Sequence, residues 1–478
     1  MNMNVASIAK KIIIKGKLVT KSPLRIGSGG TDNITDILVL KNKEGKAFIP
    51  GTSLAGVLRR EIKALCGVDE VVNCLFGYVD KKTGDCKQSL ITVSDVVFDD
   101  SKIVIREGVG INSLAGTAIE NAKFNFEGIE RGAEGNFEIE ITVRQQDEDI
   151  NEYEFLHRDD KFYAKDMYED LAASLADILS SGISIGASTA KGFGKVTTKA
   201  NCGWVAFDFV NGKDAKDWLN YLKTGKKPAN TYVANEKSAR YADEDFVLEA
   251  EFELRSSLLV RDYEAAEGLK IGDKNINAVQ MKSKDDYVIP GTSVKGTLRS
   301  YAERILLAMN GKDQAKVRKF INEFMGFVAD KESEHSQKSK LLVDEVYIKS
   351  KRLVENEQTR NRIDRFTGGT IETALFTELP VWQQGKGVPV INLCCRVQKC
   401  TEAQAGLMLL LLREMWQGYI AFGGGKAIGR GVFKGVSADI HYAREEFTIQ
   451  EKNNNFTVNG DKTKLEYYVK ALVGEING

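Results

Sequence analysis

Residues 49–60 (IPGTSLAGVLRR) return 240 positions later as residues 289–300 (IPGTSVKGTLRS), with Ile, Pro, Gly, Thr, Ser, Gly, Leu and Arg kept in place. A second block, 111–124 (INSLAGTAIENAKF), matches 363–376 (IDRFTGGTIETALF) at an offset of 252; a third, 185–196 (IGASTAKGFGKV), matches 422–433 (FGGGKAIGRGVF) at 237. Three blocks in one order at nearly one spacing mean one fold used twice. A period this long is a duplicated domain, not a solenoid repeat. In a chain of 478 residues each copy is large enough to bury its own core. The expected division is 1–205 for the first domain, 206–244 for a polar, Lys-rich linker with a short helix around Trp218, 245–440 for the second domain and 441–478 for a polar appendage.

Within each copy the pattern predicts an α+β fold. A β-rich stretch opens it (12–19; 246–254), and a loop and second strand end in Ile-Pro-Gly. A helix follows, because Pro50 and Pro290 stop the strand, Thr52, Ser53, Thr292 and Ser293 are natural N-caps, and Leu54, Val57, Leu58 and Ile62 fall on one helical face. Short strands with an acid each (Asp95; Asp344), a second amphipathic helix (171–179; 407–415), a Gly-rich loop and a final strand complete the unit. This order is the split β-α-β pattern of ferredoxin-like domains.

Charge narrows the choice of partners. Lys plus Arg equals Asp plus Glu at 67 each, so a polyanion must be met by a segregated basic face and not by overall charge. The seven cysteines, an odd number, suggest no paired disulfide framework, the N-terminus offers no apolar signal core, and the longest apolar run, 407–412, is far too short to span a bilayer. The expectation is a reduced, cytoplasmic protein without a membrane segment.

The Gly-rich loops lie between a helix and a strand, the wrong context for a Walker loop or a dinucleotide fingerprint. They read either as tight structural turns or, with Lys191, Lys195, Lys426 and Arg430, as contacts to a phosphodiester backbone. The Ile-Pro-Gly-Thr-Ser helix starts carry the same two readings: Ser53 and Ser293 as caps, or a helix N-terminus as anion site with Arg59, Arg60, Lys295 and Arg299 close behind. Cys66, Cys74 and Cys86 form a candidate zinc cluster against the simpler reading of core thiols. For catalysis the three histidines occupy no equivalent positions, leaving the acids of the loop 27–36, Asp32 and Asp36, with Asp273 in the counterpart loop, where Asn277 matches Asp36.

Together, Pro-Leu-Arg-Ile-Gly at 23–27, the paired IPGTS-x-x-G-x-L-R blocks, Leu-Phe-Gly followed by Ser94-Asp95, and the closing Gly-rich loops resemble the RAMP superfamily, specifically backbone subunits of type III CRISPR effector complexes. Two copies in one chain resemble the fused subunits of the III-D and III-E branches. The resemblance implies two tandem ferredoxin-like, RNA-recognition-like RAMP domains. Each would carry a β-hairpin thumb, with Ile111, Leu114, Ile119 and Phe124 in the first and Ile363, Phe366, Ile371 and Phe376 in the second. It implies guide RNA bound along both domains, complementary target RNA paired to the guide, and further CRISPR effector subunits as partners. The family's target-cleaving aspartate falls on Asp36, in Thr-Asp-Ile-Leu-Val-Leu-Lys, so the first domain is expected to cut with a divalent metal such as Mg²⁺ and the second to hold. The other readings are a scaffold without catalysis and an endonuclease that matures precursor guide RNA, the latter disfavoured by the lack of a histidine near the Gly-rich loops.

Overall fold

The computed structural model describes residues 8–31, 35–112, 116–144, 167–200, 202–209, 213–226, 232–233, 242–328, 335–372, 374–385, 387–452 and 455–478. The chain divides into two compact units, Met1–Glu107 with Asn125–Thr189 and Phe193–Arg240, and Gly108–Phe124 with Ala190–Gly192 and Tyr241–Gly478. Both repeats are α+β with antiparallel central sheets.

In the first repeat the long strand Ile8–Thr20 is central. Glu134–Arg144 pairs along its length on one side, with Ile12 opposite Ile141, while Gly203–Asp208 and Lys195–Thr198 share the other side. The strand is hydrophobic on alternate residues, and Ile12, Ile14 and Leu18 are fully buried beneath helices α1 (Gly51–Cys66), α2 (Asp69–Phe76) and α3 (Met167–Ser181). Residues 206–208, expected in the linker, are strand, and helix α4 (Lys213–Thr224) rests its Trp218 and Tyr221 on Phe207.

The second repeat repeats this plan around Phe246–Leu254, flanked by Ile391–Val397 and Phe433–Tyr442. Helices α5 (Gly291–Met309) and α6 (Gln314–Met325) correspond to α1 and α2. The apolar run 407–412 lies in α7 (Glu402–Trp416), which starts with a capping box between Thr401 and Gln404 and buries Leu407, Met408, Leu411 and Leu412. The tail is no mere appendage. Glu445–Lys452 and Asn455–Asn459 extend the sheet, and α8 (Lys462–Asn477) buries Tyr468, Leu472 and Ile476 in the core. Among the described residues no helix is long and apolar enough to cross a membrane.

The helix starts differ from expectation. Pro50 and Pro290 are themselves the N-caps, in extended conformation, and neither helix has a side-chain cap at that position; Thr52, Ser53, Thr292 and Ser293 lie inside the first turn. A proline cap offers no side-chain acceptor, and in the first repeat the acceptor comes from elsewhere: Asp95 Oδ1 takes the Gly51 N–H at 2.7 Å.

Candidate nucleic-acid interface

The cations of the repeated helix turn inward. Arg59 donates to the carbonyl of Gly77 at 2.9 Å and to Asn73 Oδ1 at 2.5 Å; Arg299 makes the same pair of bonds to Gly326 (2.8 Å) and Asn322 (3.0 Å). Each arginine thereby ties the C-terminal end of the following helix, where orphan carbonyls need donors, to its own helix. That explains the repeated Arg and the Gly that closes the next helix without invoking an anion. Lys295 is buried and donates to the Leu341 carbonyl at 2.8 Å. Burial, with cationic Lys191 and Arg299 nearby, pushes its pKa down to about 7. An enclosed amine already committed to a backbone carbonyl is poorly placed to meet a phosphate, so this expectation is corrected. Ser53 is exposed and Ser293 half-buried; Arg60 is exposed but forks onto its neighbour Glu61.

The Gly-rich loops also spend their N–H groups within the fold. Ala187 and Gly194 donate to the carbonyls of Arg25 and Pro23 (2.8 Å each), and Gly424 and Gly431 to Leu259 (2.7 Å) and Ser257 (2.6 Å). The loop is a clamp on the segment that follows the central strand, as in the plain structural reading. Some of its side chains still reach the surface. Lys191, Lys195 and Lys426 are exposed, Lys426 reaching Thr297 Oγ1 at 3.2 Å. Arg430 is buried, against its reading as an accessible cation.

What lies under the loops differs between repeats. In the second, Glu378 accepts from Arg261 Nε (2.9 Å), Arg430 (2.7 Å) and Arg360, and Arg430 also reaches Gln358 Oε1 at 2.5 Å. Burial alone would raise the Glu378 carboxyl, but the hydrogen bonds from Arg261 and Arg430 outweigh it and hold the pKa below its ordinary value. In the first, the loop offset places Phe193 where Arg430 stands. The strand register places Phe126 where Glu378 stands, since Ile37 bridges Phe126 in parallel as Ala278 pairs with Glu378. Phe126 and Phe193 form an edge-on ring pair at 5.4 Å, and the Arg25 guanidinium lies 4.4 Å over the Phe126 ring. Arg106, on the hairpin strand, is buried with Nε and one terminal nitrogen lacking a hydrogen-bond partner. Sequence reading missed Arg25, Arg106, Arg261, Arg360 and Glu378, because none is shared between the copies.

Asp36 is exposed and held by a reciprocal clip: its N–H donates to Asn125 Oδ1 at 2.9 Å, and its Oδ2 accepts from the Asn125 N–H at 2.8 Å. Asn277 uses its Oδ1 in the same way, accepting from the Thr377 N–H at 2.8 Å. By the register above, Asp36 matches Asn277 and Asn125 matches Thr377. Asp32 lies outside the described residues. Asp273 occupies an exposed hairpin turn between Lys270–Ile271 and Lys274–Gln280, displaced from the clip.

The hairpins present apolar side chains to solvent. Ile111, Ile119 and Phe124 are exposed on the ribbon formed by Ile103–Ile111 and Ala118–Ile129, and Ile363, Phe366 and Ile371 are exposed in the loop carried by Gln358–Arg360 and Phe376–Leu379, with Phe366 fully so. Phe376 is half-buried under Arg360, and Leu114 lies outside the described residues. Cys66, Cys74 and Cys86 are free thiols, and among the described residues no three metal-ligating side chains gather. The zinc cluster therefore finds no support.

A family model described as the RAMP superfamily matches residues 17–197 and again 251–434. The chain belongs to the RAMP superfamily. The two matches make it a tandem of RAMP domains, ferredoxin-like in fold, and membership implies a CRISPR-associated, RNA-binding subunit. No curated protein matches the sequence.

Proposed function

We propose that this RAMP protein is a fused double backbone subunit of a type III CRISPR effector complex, binding guide RNA along both domains and cutting complementary target RNA once, at the first. The observation that carries the cutting role is the clip at Asp36: it fixes an exposed carboxylate beside the base of the hairpin, and the second copy has an uncharged amide in its place. The exposed Ile and Phe side chains of the hairpins suit displacement of bases from a duplex, which would present the target 2′-OH in line with its phosphate. Asp36 would act there as a base or as a metal ligand. One carboxylate suits Mg²⁺, which keeps several waters and is commonly completed by substrate phosphates.

The scaffold reading is favoured by the same clip, because Asn277 shows that the hydrogen bond alone gives this position a use. The two separate on one experiment. The complex assembled with guide and labelled complementary RNA in Mg²⁺ should give one cut assignable to the first domain, lost on Asp36→Asn with RNA binding retained. A cut that persists moves the nuclease to another subunit.

A further inference from the structure

We propose that Arg261, Arg360 and Arg430, positioned by Glu378, form a subsite for one phosphate of RNA in the second domain. This rests on the RNA-binding reading above and adds to it the place and composition of one phosphate site. Three guanidiniums converge on one carboxylate, so three positive charges meet one negative. They carry roughly fifteen N–H donors, far more than the lone pairs of one carboxylate and the Gln358 carbonyl accept. The surplus is partly sealed off: the Arg430 side chain is 2% exposed, yet its Nε has no hydrogen-bond partner, and the Arg360 Nε is buried in the same state. Arg261 and Arg360 are the accessible members, with 34% and 28% of their side chains exposed, so an anion can reach the cluster from their side.

The fold does not require this cluster. At the equivalent positions the first domain packs Phe126 against Phe193 beneath an equally clamped Gly-rich loop. That pair closes the space without an ion pair, with the partly buried Arg25 guanidinium lying over the Phe126 ring, and buried ion pairs commonly give no advantage in stability over such packing. Three arginines gathered on one carboxylate, where the sister domain closes the same space on two rings, point to a ligand. Planar guanidiniums recognise phosphate through paired N–H bonds, and the neighbouring Phe376 ring and exposed Ile363 and Phe366 offer apolar surface to bases. A polynucleotide satisfies both features, whereas free phosphate satisfies only the first.

The test uses the full chain and a fluorescent single-stranded RNA, with anisotropy measured over a salt series. Arg261→Gln with Arg360→Gln changes the accessible members and leaves Arg430 paired with Glu378. Binding should weaken at least about tenfold at low salt, and the slope of log K against log salt should become shallower by about 0.7 for each phosphate no longer neutralised. Affinity and slope equal to the parent would overturn the proposal. Glu378→Phe with Arg430→Phe transplants the pair of the first domain; it should fold, shown by an unchanged circular dichroism spectrum, and bind RNA as weakly as the Gln variant. A transplant that fails to fold, beside a Gln variant that binds RNA normally, makes the cluster a fold element and also overturns it. If the parent binds no RNA, the RNA reading itself fails. The subsite is then judged by inorganic phosphate alone: a rise in Tm over chloride at matched ionic strength, absent from the Gln variant, keeps an anion site, and no rise removes it.

Discussion

Replacing Asp36 by Asn separates the two uses of this side chain, because the protein already contains the outcome of that change at Asn277. The carboxylate Oδ2 accepts from the Asn125 N–H at 2.8 Å, and the Asn277 Oδ1 accepts from the Thr377 N–H at the same distance. Asp36→Asn should therefore keep the clip and change stability by no more than about 0.5 kcal/mol. Asp36→Ala leaves the Asn125 N–H without its acceptor and should cost about 0.5–1.5 kcal/mol. If the carboxylate acts on the target RNA, both variants lose cleavage about 10²–10⁴-fold, which is roughly 3–5 kcal/mol of barrier. The assay is single-turnover cleavage of a complementary RNA by the assembled complex in Mg²⁺, with target affinity and Tm measured on the same preparations. Cleavage by Asp36→Asn within about threefold of the parent refutes the catalytic role. A Tm loss as large as that of the Ala variant refutes the equivalence of the two clips.

Three further outcomes follow from packing and charge. Lys295 has a folded-state pKa of about 7 against an ordinary value of 10.5, so the unfolded chain binds the proton first and stability should rise with pH across that window; Lys295→Met should flatten the rise in urea titrations between about pH 7 and 10, by on the order of a few kcal/mol in all. Gly435→Ala would set a methyl group 2.0 Å from the Trp416 ring, which a 2.7 Å hydrogen bond from its Nε1 to Glu451 keeps from moving aside, and should cost about 1–3 kcal/mol in a denaturant melt. Asp95→Ala removes the acceptor at the start of α1 and should cost about 0.5–2 kcal/mol, seen as a Tm drop of about 2–4 °C per kcal/mol; an unchanged Tm would show that water serves the Gly51 N–H equally well.

The duplication, the strand–helix order and the clamp-like loops were legible in the sequence because both copies must repeat them to close the same backbone. Arg59 and Arg299 show the limit of that signal. Their repetition was plain, but whether a cation faces solvent or the carbonyl end of the next helix depends on where Gly77 and Gly326 lie in space. The Glu378 cluster left no trace, since a copy-to-copy comparison hides what one copy alone possesses. The role of α8 was equally hidden: its buried Tyr468, Leu472 and Ile476 are too few to mark a core helix among so many charged neighbours.

The shared clip also bears on how such a duplicated chain changes over generations. Codons for Asp and Asn differ by a single base, and in the two copies each residue satisfies the equivalent backbone N–H. A carboxylate at this position can therefore be gained or lost by one point mutation without passing through a misfolded intermediate. Selection on the number of charged clips per chain is thus uncoupled from selection on folding, and the two copies are free to drift apart in chemistry while remaining alike in form.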